Sequence, residues 1–257
     1  MDRGALVVAD GTGPDRRVGR FFRLDVRRGR SQMRRLVIAS RDGSLSLAAV
    51  SWCHAQGITV AQVGGDGSLV WASAPPGLDD ARRRRAQAIA GLPGSPVGLA
   101  IVRELLSIKL AGEDALLQTL QAAPPATAAA ALAREALAGA TNLEEARTAE
   151  AASASALWET LADRPVPWIA RDRGAVPDHW LTIGPRSSPL GGTGPRRAVT
   201  PFHAALNVSF AALELEATIA CQVLGLDPGL GILHSDTPGR NSLACDLMEA
   251  VRPQVVG

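Results

Sequence analysis

Pro75-Pro76-Gly77 breaks the chain into two stretches that cannot share one kind of secondary structure. Proline lacks the amide proton that a helix interior or a sheet ladder needs, and the glycine after it frees the backbone to turn. Ahead of the break the apolar residues come in short runs bounded by turn residues, as in strands. Behind it they recur at helical spacing over long stretches. The expected fold is α+β: a small β-rich domain over residues 1–74, a linker and helix over 75–95, and a larger α-helical domain over 96–257.

In the first part, Ala5 to Ala9 forms an apolar run ended by Asp10-Gly11, and Leu36-Val37-Ile38 is a compact strand candidate. Ile58-Thr59-Val60 and Leu69-Val70-Trp71 flank Gly64-Gly65-Asp66-Gly67, a hairpin signal. Between them Ser44 can cap a helix running to Ala55 and closed by Gly57. In the second part, helices are expected over 78–90, 97–120, 126–140, 143–162 and 204–224, with Pro124-Pro125 read as a separator. Residues 164–200 are rich in Pro, Gly, Ser and Arg and read as a long loop or hairpin, a place where function often sits.

No apolar run reaches the roughly 18 residues a membrane span requires. The N-terminus is a poor secretory signal, and Cys53, Cys221 and Cys245 follow no metal-binding spacing. Buried thiols in a reducing cytosol are the expectation. The positive charge is nearly all arginine, with Lys109 the single lysine. Residues 16–35 hold nine arginines against one acid, Asp25, and Arg82 to Arg85 are consecutive. Arginine suits bidentate phosphate contacts, but a solvated basic face has the same composition.

Glu150 is the first residue that stands out for its chemistry. On a helix it shares a face with Leu143, Ala146, Ala154, Leu157 and Leu161. A carboxylate on such a face must be paired, protonated or bound to a cation, and the plain expectation is a partner arginine from another helix. Further on, His234 ends the apolar segment Leu230 to Leu233. Ser242 then opens a short helix that sets Asp246 and Glu249 three residues apart on one side. Two carboxylates so close repel unless a cation lies between them, and with a histidine they fit a hard divalent-metal site.

The segment Pro201 to Val255 resembles the signature region of the CRISPR adaptation integrases, the Cas1 family. The matching pieces are ALN, GLDPGLGILH and SLACDLMEAVRPQV, in that order and spacing. EAASASALW, from Glu150 to Trp158, resembles the helix carrying the family's metal-binding glutamate, while RRAVTPFHAALN and DHWLTIGPRSSPL resemble its middle segment. GLDDARRRRAQA resembles the family's link between a β-domain and a helical one.

The resemblance implies a catalytic helical domain with a metal site of Glu150, His234 and Glu249, Asp246 assisting. The ion would be Mg²⁺ or Mn²⁺, and the four residues would together carry the catalysis. It further implies a cytoplasmic homodimer joined through the β-domain and paired with a small Cas2 partner. The activity implied is insertion of short double-stranded DNA into a repeat array by transesterification. Arg171, Arg173, Arg186, Arg196 and Arg197, in the loop beside the site, are the candidate DNA contacts. The chain departs from the family at Thr200 and His203, where asparagine is usual, and at Val208 and Phe210, where aromatic hydroxyls are usual. Members typically continue past the RPQV segment, so the expectation is a member short at its C-terminus. The competing readings are an inactive relative serving as a DNA-binding or assembly subunit, and a general metal-dependent nuclease.

Overall fold

The computed structural model describes residues 6–9, 21–24, 33–39, 44–64, 69–73, 80–169, 174–185 and 198–257. The chain divides into two compact units, 1–77 and 78–257.

In the first unit β1 (Leu6–Ala9) and β2 (Phe21–Leu24) pair antiparallel. A second sheet holds β3 (Arg35–Ile38), β4 (Thr59–Val63) and β5 (Leu69–Ala72) in that order. Central β4 is buried at four of its five positions, and Thr59, Val60 and Val63 are β-branched residues suited to a covered strand. Between β3 and β4 runs α1 (Leu47–Ala55), the crossover that lets these two strands lie parallel. Its cap is Ser46, not Ser44: the Ser46 side chain accepts from the Ala49 amide. Gly57 takes φ +69° at the far end, which favours glycine. β4 and β5 are antiparallel, as the hairpin signal requires, although their connection at 65–68 lies outside the described residues.

The second unit is helical: α2 (Ala81–Ala90), α3 (Pro96–Thr119), α4 (Pro124–Gly139), α5 (Leu143–Ala162), α6 (Pro201–Val223), α7 (Ser242–Glu249) and α8 (Arg252–Val256). Pro124-Pro125 opens α4 instead of separating it from α3. A proline in the first helical turn gives up an amide that had no partner there anyway. Central α3 buries Val102, Leu106, Leu110 and Leu117 completely. Each such side chain contributes roughly 1.5–3 kcal/mol, enough together to hold buried ions set among them. Alanines face it: Ala130 and Ala133 on α4, Ala146 and Ala149 on α5, small enough to let the helices approach closely. A second layer packs Leu206, Phe210 and Ala217 of α6 against Ala244 and Met248 of α7.

On length and composition α6 is apolar enough to cross a membrane. In the fold Leu206, Phe210, Leu215 and Ile219 are buried, and Glu214 and Glu216 lie on the same helix, so its apolar character serves the core. Cys221 is also sealed in this core, and burial pushes its thiol up to about 11. At pH 8 only about one such thiol in a thousand is ionised, and reactivity follows the thiolate. Native protein will therefore leave Cys221 unlabelled by a disulfide-exchange reagent until denaturant is added; labelling at the rate of an exposed thiol would contradict this packing.

Candidate functional site

Four helices and a loop of the helical unit bring ionisable groups to one place. Midway along α3, Lys109 and Glu113 lie one turn apart in the row that also buries Leu106 and Leu110, and both are nearly inaccessible. On α5, Glu150 faces them, and α7 adds Asp246 and Glu249. The loop 230–236 adds His234, and Arg252 stands at the start of α8.

The carboxylates meet on the lysine. Lys109 Nζ donates to Glu150 Oε1 and, at 2.6 Å, to Glu249 Oε2. Glu113 Oε1 lies 3.8 Å from the same nitrogen, while its Oε2 accepts from Ser153 Oγ at 2.5 Å. The other oxygen of Glu249 faces Arg252 Nη1 at 2.5 Å, and the Arg252 guanidinium sits 5.3 Å above the Phe210 ring. Burial would pull the Lys109 ammonium down, but Glu249, Glu150 and Glu113 together outweigh it and hold lysine above its ordinary value. Burial pushes the Glu113 carboxyl up, despite the opposing pull of Lys109 and the Ser153 hydroxyl.

Asp246 serves a different purpose. It is fully buried, and all its accepting capacity goes to one loop. Its Oδ2 takes the amides of Ile232 and Leu233 at 2.6 and 2.9 Å; its Oδ1 takes the His234 amide at 2.9 Å and contacts His234 Nδ1 at 2.6 Å. A carboxylate only accepts, so Nδ1 carries the hydrogen and Nε2 lies 4.0 Å from Glu249 Oε1. Arg147 Nε holds the same loop by donating to the Leu233 carbonyl at 3.0 Å. Glycine is required at 231, because a Cβ there would run into the His234 carbonyl and lie 2.7 Å from Ser242 Cβ. Gly231→Ala is expected to cost about 1–3 kcal/mol by overpacking. The loss should appear as a lower denaturant midpoint at unchanged slope.

Glu150, His234 and Glu249 are thus neighbours, with Asp246 behind the histidine. Among the described residues, however, no three acidic, histidine or cysteine groups converge closely enough as they stand to share an ion. The carboxylates converge on the Lys109 ammonium instead, so the base paired with Glu150 is a lysine and not the arginine its apolar face suggested. Lys109, Glu113 and Arg252 are site residues that sequence reasoning passed over. The available signal was the single lysine lying in the buried row of α3. Thr200, in the place of a family asparagine, caps α6 by accepting from the His203 amide at 3.3 Å. Arg171, Arg173, Arg186, Arg196 and Arg197 lie outside the described residues.

Residues 27–257 match the family model for CRISPR associated protein Cas1. The chain belongs to the Cas1 family. It is 45% identical over 65 residues to the CRISPR-associated endonuclease Cas1 2 of Rhodospirillum rubrum, and 42% identical over 81 residues to a Cas1 endonuclease of Archaeoglobus fulgidus. These stretches are 25% and 32% of this chain but only 19% and 23% of the relatives' own length. The fold is similar to that of a casposase bound to its integration product, with TM-score 0.76 at 23% identity, over all of this chain and 67% of that one. It is also similar to a Cas1 protein of Thermotoga maritima, with TM-score 0.70 at 15% identity, over all of this chain and 72% of the other. The small sheet followed by helices is the Cas1 arrangement.

Proposed function

We propose that this chain is a metal-dependent DNA integrase and endonuclease of CRISPR adaptation. It would join the 3′-hydroxyl ends of a short duplex to a repeat by transesterification. The observation that carries this is that Glu150 and Glu249 close on one ammonium while His234 Nε2 lies 4.0 Å from the other oxygen of Glu249, with Asp246 fixing the histidine from behind. Family membership supplies the reaction class.

The donor set fits Mg²⁺ or Mn²⁺. Two carboxylates and an imidazole nitrogen suit a hard divalent ion, and the two carboxylates already share a cation, the ammonium of Lys109. Glu150, Glu249 and His234 would hold the ion, which when bound acidifies an attacking hydroxyl and stabilises charge on phosphate oxygens. Asp246 keeps the imidazole oriented, as partners behind metal ligands do. Glu150 and His234 are the partly exposed members, and so they face the DNA.

Beside His234 opens a cavity of about 640 Å³, lined among others by Ser95, Asn142, Arg147 and Asp236. It gives the DNA backbone a place to lie against the histidine. Arg171, Arg173, Arg186, Arg196 and Arg197 are the proposed phosphate contacts, with affinity falling steeply as salt rises. A homodimer, a Cas2 partner and a cytoplasmic setting belong to the same reading.

The test is strand transfer. Purified protein, with Mg²⁺ or Mn²⁺ and with or without a Cas2 partner, is given a labelled short duplex and a supercoiled plasmid bearing a repeat. Metal-dependent joining at the repeat supports the reading. DNA binding without joining or cutting would make the chain an assembly subunit, and cutting with no preference for the repeat would make it a general nuclease.

A further inference from the structure

Lys109 is chemically out of place. Of the 27 basic residues other than histidine, it alone is lysine, and it lies buried among leucines. Arginine would serve as well in a surface pair. A compact point charge is needed where two carboxylates from different helices must close on one atom. Three carboxyl groups, Glu113, Glu150 and Glu249, face two cations, Lys109 and Arg252. A divalent ion shared by Glu150 and Glu249 would sit within a few ångström of the ammonium, and such repulsion is strong where water is scarce.

The same helix offers the ammonium another partner. Glu113 is one turn along, its Oε1 3.8 Å from Nζ, and Ser153 anchors its other oxygen. Arg252 stays on Glu249 on the far side. Resting on the proposed metal site, we infer that Lys109 is a tethered cation that holds Glu150 and Glu249 together without metal and withdraws to Glu113 when the divalent ion enters. Lys109 is thus a positioning residue: it keeps the metal-free site closed and competes with the ion for its ligands.

Direct Mn²⁺ binding, followed by the loss of the free-ion resonance, tests this on the full chain. Thermal unfolding is measured in chelator and in Mn²⁺. Lys109→Met should bind Mn²⁺ roughly tenfold tighter or more, because the competitor is gone. Its melting temperature should fall in chelator and recover with Mn²⁺ by more than the wild type gains. Glu113→Gln keeps the lysine but weakens its second berth, so it should bind Mn²⁺ several-fold more weakly and remain folded. Equal or weaker binding by Lys109→Met, or unchanged binding by Glu113→Gln, overturns the inference. His234→Ala separates this from the underlying reading: wild-type binding that His234→Ala leaves intact removes the metal site itself. If wild type and Lys109→Met both bind nothing, the site and the inference fall together. If only Lys109→Met binds, Lys109 blocks the site without withdrawing to Glu113, and the inference is overturned.

Discussion

Asp246→Ala is expected to destabilise the helical unit by roughly 3–5 kcal/mol, as when one partner of a buried polar network is removed. The side chain has no solvent exposure and accepts four hydrogen bonds, three from consecutive amides and one from an imidazole. Without it, the Ile232 and Leu233 amides lose their acceptor in a packed interior, where water cannot replace it. Against a total of roughly 5–15 kcal/mol, this is a large part of what keeps a domain folded. Asp246→Asn should fall in between: one oxygen still accepts, but an amide group now faces donors. Guanidinium unfolding followed by circular dichroism measures both. A cost below about 1 kcal/mol for Asp246→Ala would mean that Asp246 does not brace the loop.

Glu150→Ala and His234→Ala should have the opposite profile, abolishing DNA joining while leaving the fold nearly intact. Glu150 is partly exposed, and when it is removed Lys109 keeps Glu249 and Glu113 as partners. His234 is partly exposed too, and its loss leaves Asp246 bonded to three amides. Loss of either proposed metal ligand should lower single-turnover strand joining by about a thousandfold or more. Melting temperatures in chelator should move by only a few degrees. Glu249 is unsuited to this contrast, because it neutralises both Lys109 and Arg252 and its removal strands a buried charge. Joining that survives in either variant would move the chemistry to other residues.

Glu150, His234, Asp246 and Glu249 are legible in the sequence, each for a local reason. Glu150 interrupts an apolar helical face, and the Asp246–Glu249 spacing puts two acids on one side of a short helix. Helix periods and turn residues likewise locate most elements. Where sequence and structure differ, the local signals are ambiguous: Ser44 and Ser46 can both cap, and a proline pair can end one helix or begin the next.

What the sequence by itself determined is which residues lie on which face, since periodicity depends only on neighbours along the chain. Lys109 and Glu113 show the limit of that. At i and i+4 on a helix they read as an ordinary pair, although the buried row around them is Val102, Leu106, Leu110 and Leu117. Only the tertiary structure brings Lys109 to Glu150, 41 residues away, and to Glu249, 140 residues away. It also turns Asp246 inward, onto three backbone amides that nothing in its side-chain spacing announces. Attraction between charges and satisfaction of buried donors depend on distance in space, and the packing of α3, α5 and α7 sets those distances.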